Sequence, residues 1–310
     1  MARYQIILNP ASNKGVSAEM VEEVRAELDR YSLDYEIVQT EYPGHALELA
    51  QQAVKAGFDV VVAAGGDGTA NEVVNGLMFA KENGKGTAAI GVLPIGRGND
   101  FNFGMGNVLD WRDACRILAE GKKQWIDVGR LAGGLFPEGR YFGNSVGVGF
   151  DAVVGFIAAK QKISGFLGYL VAAIRTMFAY SPAPVVAVEL EEETLTQPAL
   201  MVTVMNGRRQ GGGFMMAPEG DPSDGIFDLC VAHEVSKLKI FYLISKFMAG
   251  TQYGHPAVQG RRTRKLTIRA VKGSLPIHAD GETISTGCDQ LEVEILPRQL
   301  EMYLPEKTDK

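Results

Sequence analysis

The amino-acid sequence predicts an α/β protein of two domains, in which a parallel-sheet domain is followed by a mostly antiparallel β domain. A length of 310 residues favours two domains, because a domain averages roughly 150 residues. The first third alternates short apolar strands with segments of helical period, which is typical of a parallel sheet covered by helices. After about Gly129 the strands follow one another through turns, as in an antiparallel domain.

In the first domain, residues 1–128, the first strand is a short apolar run, and the first helix has apolar residues at helical spacing. Asn9-Pro10 ends the first strand, Gly57 ends the second helix, and the third strand is nearly all valine. The predicted strands are Tyr4–Leu8, Tyr35–Gln39, Asp59–Ala64 and Ala88–Leu93. The predicted helices are Val21–Tyr31, Ala46–Val54, Ala70–Ala80 and Trp111–Ala119.

In the second domain, residues 129–296, β-branched residues mark the strands. The predicted strands are Arg140–Gly149, Pro184–Leu190, Ala199–Met205, Ile226–Ala232, Lys265–Val271 and Gln290–Leu296. Two helical stretches interrupt them, Val153–Ala179 and Ser236–Ala249. The polar tail, residues 297–310, is expected either to pack back on the first domain or to fray.

Composition and charge exclude several classes of protein. Lys plus Arg is 31 and Asp plus Glu is 37, so the net charge of −6 argues against a nucleic-acid partner, whose binding depends on neutralising phosphates. Cys115, Cys230 and Cys288 are far apart and odd in number, so we expect no disulfide framework and no cysteine zinc site. The N-terminal apolar run is too short for a signal peptide, and no window reaches the ~18–20 apolar residues of a membrane span. These features predict a cytoplasmic protein.

The strongest motif is Gly65-Gly66-Asp67-Gly68-Thr69, which stands between a predicted strand and a predicted helix. Its glycines let backbone amides approach a ligand, and the helix N-terminus adds partial positive charge. Phosphate is the predicted ligand, and Asp67 can hold Mg²⁺ or accept a proton. A plain glycine turn is the alternative. Neither the Walker A pattern nor the dinucleotide glycine pattern is present.

Two further loops follow strands of the same predicted sheet, Asn9–Gly15 and Pro94–Phe101. Small polar side chains and Lys14 in the first loop suit nucleotide phosphates, although a plain turn is equally consistent with the spacing. Because the carboxyl ends of parallel strands meet at one edge of a sheet, we expect all three loops to converge there. The convergence is stronger evidence for a ligand site than any single loop.

Two acidic motifs lie in the second domain. Asp221 and Asp224 are three residues apart in a turn, where two carboxylates and a backbone carbonyl could hold Mg²⁺; a turn capped locally by Asp is equally consistent. The segment His278–Glu282 ends a strand in a tight turn with two acids, which alone indicates a hairpin.

Three other segments have both a structural and a functional interpretation. The basic cluster, Arg261–Lys272, is either a solvated face or a contact for anionic lipid headgroups. The apolar stretch Phe156–Tyr180 is either core or a lipid pocket. For Ser236–Ala249 an amphipathic packing helix is favoured over a membrane anchor.

Together these motifs resemble the diacylglycerol kinase and sphingosine kinase catalytic family, in particular its soluble bacterial lipid kinases. The matching segments are N-P-x-S at Asn9–Ser12, G-G-D-G-T-x-N-E at Gly65–Glu72, P-x-G-x-x-N-D-F at Pro94–Phe101, Gly211–Gly213, P-x-x-D-x-x-D-G-x-F-D at Pro218–Asp228, and D-G-E at Asp280–Glu282. The glycine motif alone is shared with NAD kinases and phosphofructokinases, but the combination is more specific.

The resemblance implies the fold of NAD kinases and diacylglycerol kinases: a Rossmann-like domain, a β-rich domain for lipid and metal, and ATP in the cleft between them. The nucleotide contacts that it implies are Asn9, Pro10, Ala11, Ser12, Asn13, Thr40, Gly66, Asp67, Gly68, Thr69, Ala70, Asn71, Glu72 and Arg97. A structural Mg²⁺ would be held by Asp221, Asp224 and the carbonyl of Ile226. Glu282 would be the general base and Asp67 would engage the catalytic Mg²⁺–ATP. At Arg97 this sequence departs from the threonine usual in the family.

The function implied is transfer of the γ-phosphate of ATP to the hydroxyl of a membrane lipid, with diacylglycerol as the expected acceptor and phosphatidic acid as the product. NAD kinase is the alternative enzyme, and a non-catalytic nucleotide- or lipid-binding regulator is the alternative outside enzymes. Phe156–Tyr180 favours a lipid acceptor, and the presence of Asp67 and Glu282 argues against the regulator. The expected partner is a lipid met transiently at the inner face of the membrane; a homodimer stays open.

Overall fold

The computed structural model describes residues 2–160, 163, 165–180 and 183–306. The chain divides into two compact units. The first unit is Met1–Asp127 with Arg298–Lys310, and the second is Val128–Pro297.

The first unit is built on a parallel sheet with the strand order β4-β3-β1-β2. These strands are β1 (Arg3–Leu8), β2 (Asp34–Gln39), β3 (Val60–Gly65) and β4 (Ala89–Pro94). The helices are α1 (Val16–Glu19), α2 (Val21–Arg30), α3 (His45–Lys55), α4 (Asp67–Glu82), α5 (Asp100–Gly104) and α6 (Trp111–Glu120), with a 3₁₀ turn at Ser12–Gly15. All residues of β3 and β4 are buried, as expected for parallel strands covered on both faces.

The second unit is mostly antiparallel. Its strands are β6 (Phe136–Phe142), β7 (Ser145–Gly149), β8 (Val185–Glu189), β9 (Thr194–Met205), β10 (Phe227–His233), β11 (Val258–Thr263), β12 (Lys265–Lys272), β13 (Leu275–Ala279) and β14 (Glu282–Cys288). Its helices are α7 (Phe150–Lys160), α8 (Gly165–Ala179) and α9 (Lys237–Ala249), with a 3₁₀ turn at Gln252–Gly254. The buried rings of Phe142 and Phe227 stack 5.6 Å apart in its core.

Two long strands carry the chain from one unit to the other, β5 (Lys122–Gly133) and β15 (Gln290–Leu304). The first part of β15 pairs with β12 in the second unit, and Met302, near its end, lies beside Ile90 in the parallel sheet of the first unit. The backbone amide of Arg298 donates to Asp127 Oδ1 at 2.8 Å. This hydrogen bond links the two places at which the chain passes from one unit to the other.

The predicted fold class is confirmed, whereas two predicted elements are wrong. The predicted strand Arg140–Gly149 is two strands, β6 and β7, because the chain turns around the Asp280 carboxylate, which accepts hydrogen bonds from the backbone amides of Gly143 and Ser145. The predicted helix Val153–Ala179 is likewise two helices, α7 and α8, and residues 161, 162 and 164 of that prediction lie outside the described residues.

Candidate active site

The glycine motif forms the turn between β3 and α4, since β3 ends at Gly65 and α4 begins at Asp67. A Cβ at Gly65 would overlap the side chain of Thr69. A Cβ at Gly96 would overlap the Cα of Gly66 and lie 2.8 Å from its nitrogen. Glycine is therefore required here, because the loop after β3 packs backbone to backbone on the loop after β4.

Side chains join the loops that follow β1, β3 and β4. Asn9 Nδ2 donates to Thr69 Oγ1 at 3.0 Å, and Asn9 Oδ1 accepts from the amide of Ala11 at 3.0 Å. Arg97 Nε donates to Asn13 Oδ1 at 2.7 Å. The three loops thus converge at the carboxyl edge of the parallel sheet, as the sequence predicts.

A cavity of about 350 Å³ opens among these loops in the first unit. Its lining residues are Asn9, Pro10, Ala11, Ser12, Thr40, Glu41, Tyr42, Pro43, Gly66, Gly68, Thr69 and Glu72. Nine of the residues predicted to bind nucleotide are among them. The volume lies within the ~300–1,000 Å³ that small-molecule sites occupy.

The other five residues predicted to bind nucleotide do not line this cavity: Asn13, Asp67, Ala70, Asn71 and Arg97. Ala70 and Asn71 are buried within α4, where the Asn71 carbonyl and Oδ1 accept hydrogen bonds from Asn75 Nδ2 at 2.9 and 3.1 Å. Asp67 Oδ1 accepts from the backbone amide of Phe101 at 2.9 Å, at the start of α5. A nucleotide contact at these positions stays a prediction.

Glu72 has a structural role that the motif did not predict. Its two carboxylate oxygens accept hydrogen bonds from the backbone amides of Gly44 and Ala46 at 2.9 and 3.0 Å. These amides belong to the N-terminus of α3, where a carboxylate is favourable because backbone amides there lack helical partners. Glu72 therefore fixes the wall of the cavity to α3.

Tyr42 is a cavity residue that sequence reasoning missed. Its ring stacks on His45 with centroids 4.4 Å apart, and its hydroxyl donates to Glu48 at 2.9 Å. The side chain is about half exposed, so one ring face remains available to a planar ligand. The available signal was an aromatic residue two positions after Thr40, just past the carboxyl end of a strand.

The predicted metal turn in the second unit is held by its own hydrogen bonds. Asp221 Oδ1 accepts from the amide and the hydroxyl of Ser223 at 3.0 and 2.6 Å. Asp224 Oδ1 accepts from the amide of Ile226 at 3.1 Å, and Asp224 Oδ2 forms an ion pair with Arg262. A cation at this turn would compete with Arg262 for Asp224.

The charged groups around this turn are mostly acidic, which would favour a bound cation. Burial raises the pKa of Asp228; Arg262 opposes this shift, and the carboxylates of Asp224, Glu219 and Asp221 add to it. Arg262 is the one cation among the charged groups of the described residues that shift the pKa of Asp228. In the described ranges of the chain no three side chains of His, Cys, Asp or Glu gather as a metal site, so any ion here would depend on the predicted set of two carboxylates and one backbone carbonyl.

The Asp-Gly-Glu motif forms the turn between β13 and β14, as the sequence predicts. Asp280 is buried and bonded to backbone amides of the β6–β7 turn at 2.6 to 3.1 Å, so it is structural. Glu282 is partly exposed and forms a two-point ion pair with Arg140 of β6, with Nη2–Oε1 at 2.8 Å and Nε–Oε2 at 3.2 Å. Paired oxygens fix the orientation of the Glu282 carboxylate.

A second cavity, of about 70 Å³, lies in the second unit and is mostly apolar. Its lining residues are Phe150, Asp151, Val154, Tyr169, Ala173, Leu200, Met201, Gln210, Gly211, Phe214, Met216, Ile240, Leu243, Ile244 and Phe247. Tyr169 and Ala173 belong to the stretch Phe156–Tyr180, so part of that stretch lines a pocket. Asp151 is the one acid in this set.

Asp151 is buried beside His278. It accepts hydrogen bonds from Thr203 Oγ1 at 2.6 Å and from the amide of Ala152 at 2.9 Å, and burial raises its pKa to about 7. Burial lowers the pKa of His278 to about 4. A Cβ at Gly147 would overlap both Asp151 Oδ2 and His278 Nε2, so both atoms lie against Gly147 and glycine is required there. Sequence reasoning missed Asp151, although a lone acid in an apolar stretch was a visible signal.

Comparison with family models assigns both parts of the chain. Residues 3–131 match the model described as the diacylglycerol kinase catalytic domain, and residues 144–304 match the YegS C-terminal NAD kinase beta sandwich-like domain. The chain belongs to the diacylglycerol kinase family. The protein is therefore a kinase with an alcohol acceptor, from a family of lipid kinases that use ATP.

Relatives support this assignment along the chain. The diacylglycerol kinases of Staphylococcus saprophyticus and Bacillus subtilis are 25% and 27% identical to it over 282 and 285 residues. These alignments cover 90% and 91% of this chain and 88% and 90% of the relatives.

Solved structures share the fold. A diacylglycerol kinase from Bacillus anthracis aligns with a TM-score of 0.73 at 18% identity, covering 98% of this chain and 97% of that one. An NAD kinase from Archaeoglobus fulgidus in complex with ATP aligns with a TM-score of 0.51 at 15% identity, covering 98% and 94%. No helix in the described part of the chain is long and apolar enough to cross a membrane.

Proposed function

We propose that the protein transfers the γ-phosphate of ATP to the hydroxyl of diacylglycerol, giving phosphatidic acid. The observation that carries the lipid acceptor is the apolar cavity in the second unit. Its aliphatic and aromatic lining suits an acyl chain, because burying hydrocarbon there removes it from water. An NAD acceptor, which carries phosphates and riboses, would find few polar partners in that lining.

The cavity of the first unit is the proposed nucleotide site. Backbone amides of Gly68 and Thr69, at the N-terminus of α4, would meet phosphate oxygens. Tyr42 offers an aromatic face to the adenine base, in keeping with its stacking on His45. Phosphoryl transfer depends mainly on positioning and charge neutralisation, which the loop amides and a bound Mg²⁺ would supply.

Mg²⁺ belongs to the proposal at two places. Asp221, Asp224 and the carbonyl of Ile226 would hold a structural ion, and Asp67 would engage the ion that accompanies ATP. When bound, Mg²⁺ neutralises phosphate charge. The chain itself contributes the fixed carboxylate of Asp67, which the amide of Phe101 orients.

Glu282 is the proposed general base. The lipid hydroxyl would give its proton to the Glu282 carboxylate as its oxygen forms the bond to the γ-phosphorus, and the bond to the bridging oxygen breaks to release ADP. A base must be held within reach of the proton that it accepts. The ion pair with Arg140 provides that fixed orientation.

The test is transfer of labelled γ-phosphate from ATP into diacylglycerol, other lipids in mixed micelles, and NAD⁺. We expect a labelled lipid, and a loss of about 10²–10⁴-fold in rate for Glu282→Gln with ATP binding retained. Glu138→Gln is the matched control, because Glu138 is exposed on strand β6, which also carries Arg140, and the variant should keep full activity.

Three outcomes would contradict parts of the proposal. Label in NADP⁺ and in no lipid would make the protein an NAD kinase. Full activity of Glu282→Gln would remove Glu282 as the base while leaving the lipid acceptor intact. ATP binding without transfer to any acceptor would favour the non-catalytic regulator.

A further inference from the structure

α9 has apolar residues on two opposite faces. The buried face consists of Ile240, Leu243 and Phe247. The exposed residues Leu238, Phe241, Tyr242 and Met248 share the other face, since Phe241 and Tyr242 lie three and four positions after Leu238 and Met248 lies seven after Phe241. Leu238 is 82% exposed, although it is a large aliphatic side chain. Packing within the unit therefore explains only half of the apolar residues in this helix.

Phe178 of α8 extends the exposed face. Its side chain is 64% exposed, and Lys237 Nζ of α9 lies 5.2 Å from the centroid of its ring. We call Phe178, Leu238, Phe241, Tyr242 and Met248 the α9 surface. A cluster of exposed apolar residues on adjoining helices indicates an interaction site, whereas single exposed apolar residues need no explanation.

Lysines flank the α9 surface. Lys237 lies on one side of the exposed face, and Lys239 and Lys246 lie on the other. Lys246 Nζ is 5.3 Å from the centroid of Tyr242. None of the three lysines forms an ion pair with an acid of the described residues, and α9 itself contains no acid. An apolar face bordered by lysines is typical of helices that lie in the interface of an anionic membrane.

The basic cluster Arg261–Lys272 is a poorer candidate for the same role. Arg261 pairs with Glu193, Arg262 pairs with Asp224 and Asp228, and Arg269 pairs with Glu189. Much of its positive charge is thus neutralised within the protein. In a chain of net charge −6, the lysines of α9 form a local positive region instead.

Both α8 and α9 also line the apolar cavity of the second unit. Tyr169 and Ala173 of α8, and Ile240, Leu243 and Phe247 of α9, line it. The same helix therefore presents one face to the cavity and the opposite face to solvent. A bilayer on the α9 surface would lie one helix thickness from the cavity that is proposed to hold the acyl chain.

We propose that the α9 surface docks on a phospholipid bilayer that contains anionic lipid, and that the lipid acceptor passes from there into the apolar cavity. The docking step stands on the exposed apolar and lysine side chains, whereas the transfer into the cavity rests on the proposed function. Apolar side chains would enter the acyl boundary and the lysines would meet anionic headgroups.

Vesicle sedimentation tests the docking step. The full-length protein is mixed with phosphatidylcholine vesicles, with or without phosphatidylglycerol, and the bound fraction is measured. We expect Leu238→Ser with Phe241→Ser to weaken binding at least about tenfold. Lys237→Glu with Lys239→Glu should weaken binding only to the anionic vesicles, by about fivefold or more per lysine.

Matched controls distinguish the α9 surface from nonspecific effects of exposed apolar residues and of net charge. Leu135→Ser removes another highly exposed leucine, on the turn between β5 and β6, and Lys55→Glu reverses an exposed charge on α3. Both variants should bind vesicles like the unmodified protein. Circular dichroism confirms that each variant is folded.

Lipid kinase assays distinguish failure of docking from failure of the proposed function. The α9 variants should lose activity on acceptor in vesicles but keep it on a short-chain acceptor dissolved as monomers. Variants that bind vesicles normally, or an unmodified protein that never binds, would overturn the docking proposal. Variants that turn a dimer into a monomer in analytical ultracentrifugation would overturn it in favour of a subunit interface. Normal docking without activity on any lipid would instead refute the proposed function.

Discussion

Replacing Asp151 with Asn should change how the stability of the second unit depends on pH. Asn keeps an oxygen for the Ala152 amide and a polar group for Thr203, so the hydrogen bonds survive while the titrating carboxyl is lost. Burial raises the pKa of Asp151 from 3.8 to about 7. Each pH unit between these values is worth about 1.4 kcal/mol, so the folded protein gains stability from this group as the pH falls from about 7 to about 4.

His278 acts in the opposite direction. Burial lowers its pKa from 6.5 to about 4, so the folded state resists a proton that the unfolded state takes up. Between about pH 4 and 6.5 the folded pair binds one proton, and the unfolded pair also binds one. The two contributions therefore cancel in the unmodified protein, whichever of the two neighbouring side chains carries the proton.

Asp151→Asn removes the Asp151 contribution to the pH dependence of stability and leaves that of His278. Relative to the unmodified protein, the variant should be less stable at about pH 5 than at about pH 7.5 by an additional ~3 kcal/mol, which is two pH units of the Asp151 contribution. His278→Gln should show the opposite sign, with relative stability that increases on acidification below about pH 7.

Urea unfolding followed by far-ultraviolet circular dichroism at both pH values measures these differences. Fluorescence would not serve, because Trp111 and Trp125 both belong to the first unit. An Asp151→Asn difference that is the same at both pH values would refute the reasoning, since it would mean that Asp151 is ionised throughout.

Three further predictions concern the first unit. Gly96→Ala should abolish ATP binding and lower the melting temperature, because its Cβ would overlap Gly66. Gly68→Ala should keep the fold, since no atom lies within 4 Å of its Cβ position. Calorimetry of both variants checks this prediction, and equal stabilities would contradict it. Glu72→Ala should cost roughly 1 kcal/mol or more of stability through the lost contacts at the N-terminus of α3, as measured by urea unfolding, with no change as the contrary result. Tyr42→Ala should weaken ATP binding about tenfold in titration calorimetry if its ring stacks on the base, and an unchanged affinity would place the base elsewhere.

The parallel sheet and its three converging loops were predictable because each depends on local patterns. A run such as Val60–Ala64 is apolar at every position, and only a strand covered on both faces buries all of it. The glycines at the end of that strand mark a close backbone approach, which the contact between Gly66 and Gly96 explains. Nine predicted nucleotide residues consequently share one cavity.

What the sequence could not show are contacts between distant parts of the chain. The break between β6 and β7 depends on Asp280, more than 130 residues away. The apolar pattern of residues 140–149 gives no information about that carboxylate. Likewise, the pairing of Glu282 with Arg140 and the capping of α3 by Glu72 follow from tertiary structure. For α9 the helical period was correct, but only the structure shows that half of its apolar residues remain uncovered.

The course of β15 has a consequence for the order in which the protein is assembled on the ribosome. Strand β4 gains its second neighbour only when Met302 is in place, and Leu300, Met302 and Leu304 are all buried there. During synthesis the edge of β4 therefore stays unpaired until the whole second unit has been translated. An open edge can pair with other chains, so this interval is the stage at which nascent protein is most prone to aggregate.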